Sequence, residues 1–168
     1  MKSRLRSTVF LSLFTALAMI MAYVEVLVPP IIPSIPGIKM GLPNIIIILL
    51  LYRRGPLSAT VVSLLRIMLV ALLFGNVMSM LYSLSGGVLS LLVMIILKRL
   101  NLLSTVGVSV AGGVTHNVGQ ILMAMLLLDT TELGYYLAVL IISGIVAGVF
   151  IGLCGSTLIK KLPAKLLK

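Results

Sequence analysis

A chain of 168 residues that is 61% hydrophobic and 10% charged, with a mean hydropathy of +1.30, carries too little polar surface for water. Soluble domains hold about 45–50% apolar and about 25% charged residues, so a soluble globular domain, a disordered tail and a nucleic-acid module are excluded, and the solvent is lipid. The formal charge of +10, from 13 Lys and Arg against 3 Asp and Glu, therefore has to be read by position rather than as a sum.

Charges and turn formers divide the chain into apolar runs at 7–28, 40–52, 57–74, 77–97, 104–128 and 135–159. A helical span takes roughly 20 apolar residues. The runs lack two-residue alternation and are too long for barrel strands, so each predicts a helix. The expected fold is an all-α integral membrane protein, a compact bundle of six transmembrane helices forming one domain over 1–168. An even number of spans puts both chain ends on one side. Lys2, Arg4, Arg6, Arg53, Arg54, Lys98, Arg99, Lys160, Lys161, Lys165 and Lys168 all fall on that side, eleven of the thirteen basic residues. Cytoplasmic loops carry the excess of Lys and Arg, so both termini are expected in the cytoplasm of a multi-pass protein of the cell (plasma) membrane. Glu25, Asp129 and Glu132 fall at or beyond the outer ends. The first run also has the basic start of a signal peptide. It is longer than the usual ~7–15 apolar residues and no cleavage site follows, so it is expected to remain as a helix. Cys154, the single cysteine, lies inside the sixth run and reads as a small packing residue.

The sequence offers little catalytic chemistry. It has no GxxxxGK[ST] phosphate loop, no Cys/His cluster, and no nucleophile with an evident base. No two of its three carboxylates lie within one helical turn inside the membrane, whereas magnesium-assisted diphosphate chemistry needs several. The expectation is a protein with no catalytic residue, metal or cofactor, whose role is binding or transport.

Binding candidates come from polar residues that lipid should exclude. Glu25 closes the first run. The segment PPIIPSIPGIKMGLPN, Pro29–Asn44, holds five prolines that forbid regular helix. It is expected as an outer lid loop over a pocket, with Lys39 and Asn44 as contacts; a solvated loop lysine is the plainer reading of Lys39. The short second span would then start inside the membrane, its open N–H groups and dipole making the pocket electropositive. Arg66 lies mid-way along the third run, where a charge costs about 2.5–3.5 kcal/mol on insertion scales. Two readings stand: a ligand contact, or a packing pair with Glu25 or backbone carbonyls. In the fourth run Asn76, Ser79, Ser83, Gly86 and Ser90 share a face flanked by Tyr82. Its outer part, Asn76, Ser79, Tyr82 and Ser83, lies at the depth of the pocket, with Asn76, Ser79 and Tyr82 as candidate contacts, and its inner part, Gly86 and Ser90, is close packing. In the fifth run His116 and Gln120 share a face with Gly112, and Asn117 is adjacent. In the sixth, Gly144, Gly148 and Gly152 read as internal helix packing. Arg66 would pair with ligand negative charge, and the fifth-run polar groups would orient the ligand.

Six short helices, the proline-rich first outer loop and AMIMA at Ala18–Ala22 resemble the substrate-binding S components of energy-coupling factor (ECF) transporters. GIKMGLPN (Gly37–Asn44) and GGVTHNVGQ (Gly112–Gln120) are more closely similar to the Gx transporter family, which also carries the description heptaprenyl diphosphate synthase component I. The resemblance covers essentially the whole chain. It implies a small-molecule substrate bound in the outer half, and a docking face formed by Ala18 and Ala22 for a transmembrane coupling subunit. It also implies ATPase subunits that supply the work. Ser12 and Ala16, nearer the basic end, are the other small pair on that helix. The solute implied is anionic or amphipathic, of the vitamin, flavin, isoprenoid or quinone-precursor type. The alternatives are a membrane component of prenyl diphosphate or quinone biosynthesis, although the aspartate-rich motifs of soluble prenyl synthases are missing, and a scaffold of a membrane redox complex.

Overall fold

The structure, a computed structural model, describes residues 2–27 and 40–163. The expected apolar runs are helices: α1 (Lys2–Leu27), α2 (Asn44–Arg53), α3 (Pro56–Phe74), α4 (Val77–Leu100), α5 (Thr105–Leu128) and α6 (Leu137–Lys161). A 3-10 turn, Glu132–Tyr136, leads into α6, and no strand occurs among the described residues. Five helices, all but α2, are long and apolar enough to cross a membrane, and the protein is a multi-pass membrane protein. Leu5, Val9 and Leu13 on α1, Leu122 and Leu126 on α5, and Ile142 and Val146 on α6 are exposed at four-residue spacing, as lipid-facing rows require.

The helices close into a ring in which α2 meets α3, α3 meets α4, α4 meets α5, α5 meets α6, and α6 returns to α2, with α1 laid against α3. Glycines set the tightest contacts. A Cβ on Gly148 would stand 2.6 Å from the Val110 Cα, and one on Gly152 2.8 Å from the Val106 Cα. The α6 glycine row is therefore the α5 contact, as its spacing predicts, and it lets the two backbones touch. On the other side of α5, Gly86 and Gly119 bring α4 equally close, and the Ser85 hydroxyl donates to the Gly119 carbonyl at 2.7 Å.

Helix α2 differs from the other five. Ten residues rise about 15 Å at 1.5 Å per residue, half of a ~30 Å hydrocarbon core. All of Ile45–Leu51 is buried, so α2 is enclosed on every side rather than amphipathic. It starts later than the expected 40–52 because Gly41 (φ +72°) and Pro43 shape a turn before it. The Asn44, Ile45 and Ile46 N–H groups donate to the Gly41, Leu42 and Pro43 carbonyls at 2.8, 3.1 and 3.1 Å. This corrects the expectation of open N–H groups at this helix start: the turn pairs them locally.

Basic side chains tie one end of the bundle together. Arg53 donates to the Ile159 carbonyl and, at 2.9 Å, to the Leu162 carbonyl at the end of α6. Lys98 donates to the Leu51 carbonyl at 2.5 Å, and Arg54 stacks 4.3 Å from the centre of the Phe10 ring. The α2–α3 turn, the ends of α4 and α6 and the first half of α1 thus meet at one end, with cations on last-turn carbonyls where the helix dipole favours them.

Candidate functional site

At the other end, the half-length α2 leaves space where a full span would continue. A cavity of ≈ 320 Å³ occupies it, and every helix of the bundle contributes to its wall. Glu25 comes from the last turns of α1, Asn44 from the first residue of α2 and Arg66 from the middle of α3. Asn76, Ser79 and Ser83 come from the start of α4, and His116, Asn117 and Gln120 from α5. Ala22, Met40, Ile67, Val70, Ala71, Phe74, Ala147 and Ile151 make the apolar part of the wall. Eight sequence candidates are therefore gathered in one place: Glu25, Asn44, Arg66, Asn76, Ser79, His116, Asn117 and Gln120.

Their polar atoms are not equally available. The Arg66 Nη2–H donates to the Asn44 Oδ1 at 3.3 Å, while its Nε–H is buried with no acceptor among the described residues. The Glu25 carboxylate accepts from the Gly41 N–H and attracts the Arg66 guanidinium electrostatically. The cavity thus holds a guanidinium and a carboxylate, with one buried donor unused. Gln120 and Ser83 make no side-chain hydrogen bond among the described residues, so their groups are free to meet a ligand. His116 lines the cavity beside them.

Other candidates are committed to the fold. The Asn117 Nδ2–H donates to the Leu140 carbonyl at 2.7 Å and fastens α5 to α6. Asn76 and Ser79 form a capping box: the Ser79 N–H donates to the Asn76 Oδ1 at 2.8 Å, and the Asn76 N–H donates to the Ser79 hydroxyl oxygen at 3.0 Å. That motif satisfies orphan donors at the α4 start, so Ser79 is committed to the cavity rim, while the Asn76 Nδ2–H₂ group makes no hydrogen bond among the described residues. Tyr82 does not line this cavity; it lines a second cavity of ≈ 200 Å³ that shares Gln120 with the first. The docking expectation is corrected as well. Ala18 is 0% and Ala22 8% exposed, because their face of α1 packs inward and Ala22 lines the cavity. Ser12 and Ala16 are exposed instead. Lys39 and most of the expected lid lie outside the described residues.

Sequence reasoning missed the contributions of Gly41, Gly113, Gly144 and the apolar wall residues. Their signal is indistinguishable from ordinary helix packing. Among the described residues no three His, Cys, Asp or Glu side chains gather as a metal site.

The arrangement is that of a binding pocket: an apolar body site with a few convergent polar groups. The family model for heptaprenyl diphosphate synthase component I matches residues 14–158. The chain belongs to that family. The match runs from Phe14 to Leu158 and so takes in every residue of both cavities and at least half of each of the six helices. No curated protein and no solved structure matches the chain.

Proposed function

We propose that the protein is a non-catalytic binding subunit of a membrane system, holding a small organic solute with an anionic head in the Arg66 cavity. The buried Arg66 Nε–H without an acceptor carries this reading. A buried charged donor left unpaired is costly, and the cost is relieved when an acceptor arrives. The Arg53 and Arg54 Nε–H groups are also buried without an acceptor among the described residues, but of the three only Arg66 lines the cavity, so a carboxylate or phosphate oxygen entering it gains that bond. Gln120 and Ser83 would orient the head, and Ile67, Val70 and Phe74 would cover an apolar body. The volume sits at the low end of the roughly 300–1,000 Å³ typical of small-molecule sites. That suits a compact solute of the vitamin, flavin or quinone-precursor type.

The chain has no phosphate loop, so transport would draw its work from a coupling subunit and ATPase partners, as the S-component resemblance implies. The basic end, with Arg53, Arg54, Lys98 and Arg99, would face the cytoplasm, both termini with it, and the cavity would open toward the outer half of the plasma membrane. The family description favours a second reading. In it the chain is the membrane partner of a catalytic prenyl synthase component, and the head held by Arg66 is a diphosphate.

Titration of the purified protein in lipid nanodiscs with inorganic diphosphate tests the site. Saturable binding that disappears in Arg66→Gln is expected; equal binding by both proteins would end this reading. Mild co-purification separates the two roles, since coupling and ATPase subunits mark transport and a soluble synthase component marks prenyl assembly.

A further inference from the structure

We infer that the second cavity is an apolar annex of the Arg66 site, taking the hydrocarbon segment next to the ligand's anionic head. This rests on the anion-anchoring reading above. The two cavities share one residue, Gln120, which lies in the wall of both. Beyond it the lining is Tyr82, Ile121, Ala124, Leu128, Leu133, Tyr136 and Leu140, with nothing charged. The annex is bounded by α4, α5, the 3-10 turn and the first turn of α6.

Three features support continuity rather than an unrelated crevice. Gln120 has no hydrogen-bond partner among the described residues, so rotating its carboxamide at the boundary breaks no hydrogen bond. Asn117, one turn before it, is locked to Leu140, so the α5–α6 contact at the threshold stays fixed while Gln120 moves. The chemistry also divides at that residue: the guanidinium and the carboxylate lie on the Arg66 side, and two aromatic rings with aliphatic neighbours lie on the other. A ligand spanning both would be amphipathic, with an anionic head and a short unsaturated or aromatic segment. The annex, ≈ 200 Å³, admits the first part of a chain or one ring, with any remainder leaving toward lipid.

The test uses a geranyl diphosphate analogue with a diazirine on its terminal isoprene, photolysed with the full chain in nanodiscs and mapped by mass spectrometry. Adducts on Ala124, Leu128 or Leu140 are expected. Excess inorganic diphosphate, Arg66→Gln and Ala124→Trp are each expected to lower them at least tenfold. Ala124→Leu replaces Ala124→Trp if the larger ring prevents folding. Annex adducts that persist under diphosphate competition would mean that the cavity takes hydrocarbon as any lipid tail would, and would overturn the proposal. Adducts confined to lipid-facing positions such as Leu126 and Val146, with inorganic diphosphate still bound by the wild-type protein, would overturn the annex alone. Absence of any diphosphate binding would instead overturn the anchoring reading beneath it.

Discussion

Replacing Arg66 by Gln separates the ligand role of this residue from its structural one. The guanidinium has two donors in play, the Nε–H without an acceptor and the Nη2–H on Asn44. Hydrogen bonds to charged groups contribute roughly 1.5–3 kcal/mol each, so two at the lower end amount to about 3 kcal/mol, or about two orders of magnitude in Kd for an anionic head. The same change leaves Glu25 without the positive charge that attracts it. Breaking a fully buried pair costs about 3–5 kcal/mol. Glu25 keeps the Gly41 N–H and is only partly buried, so a smaller stability loss, about 1–3 kcal/mol, is expected. The double variant Glu25→Gln/Arg66→Gln removes both charges, and it should regain most of that stability while still failing to bind. Titration with inorganic diphosphate in nanodiscs reads the first effect, and thermal unfolding followed by size-exclusion recovery reads the second. Wild-type affinity in Arg66→Gln, or restored affinity in the double variant, would refute the assignment of Arg66 as anchor. The single variant Glu25→Gln points the other way: with the neutralising carboxylate gone, diphosphate should bind more tightly, by about tenfold.

Gly148→Ala should destabilise the bundle by about 1–3 kcal/mol, because the added Cβ would meet the Val110 Cα at 2.6 Å and force two backbones apart; thermal recovery measures this, and an unchanged midpoint would contradict the α5–α6 contact. Asn117→Leu removes the bond to the Leu140 carbonyl, so a stability loss of about 0.6–2 kcal/mol with little change in head-group affinity is expected; loss of affinity at unchanged stability would restore Asn117 as a ligand contact. Asn76→Ala removes the N-cap oxygen that accepts from the Ser79 N–H at the α4 start and should cost about 0.5–2 kcal/mol in the same unfolding assay. For orientation, single-cysteine variants with Cys154 replaced should show Thr131→Cys labelled by an impermeant maleimide in intact cells and Asn101→Cys protected; the reverse pattern would invert the proposed topology.

The helices were legible in the sequence because lipid imposes a local rule. A backbone without water must hydrogen-bond within its own segment, so an apolar run of sufficient length is a helix whatever surrounds it. The runs 57–74 and 104–128 predict α3 and α5 to within a residue or so. The clustering of Arg53, Arg54 and Lys98 at one end likewise follows from their places at the ends of apolar runs. Eight candidate residues reach one cavity because intramembrane polar side chains avoid lipid and turn toward one another.

Tertiary structure alone decided what each of those residues does. Asn76 and Asn117 look alike as polar residues in apolar runs. The first caps its own helix and the second fastens α5 to the Leu140 carbonyl, and only the positions of Ser79 and of α6 distinguish those uses. Periodicity places Ala18 and Ala22 on one face of α1 but cannot say whether that face meets lipid, a partner or α3; the rotation of α1 in the bundle turns it inward. The cavity itself is a tertiary property. The sequence determined that α2 is short, but the space left above it becomes a polar-lined cavity only because α1, α3, α4, α5 and α6 run past its end and bring Arg66, Glu25 and Gln120 to one void.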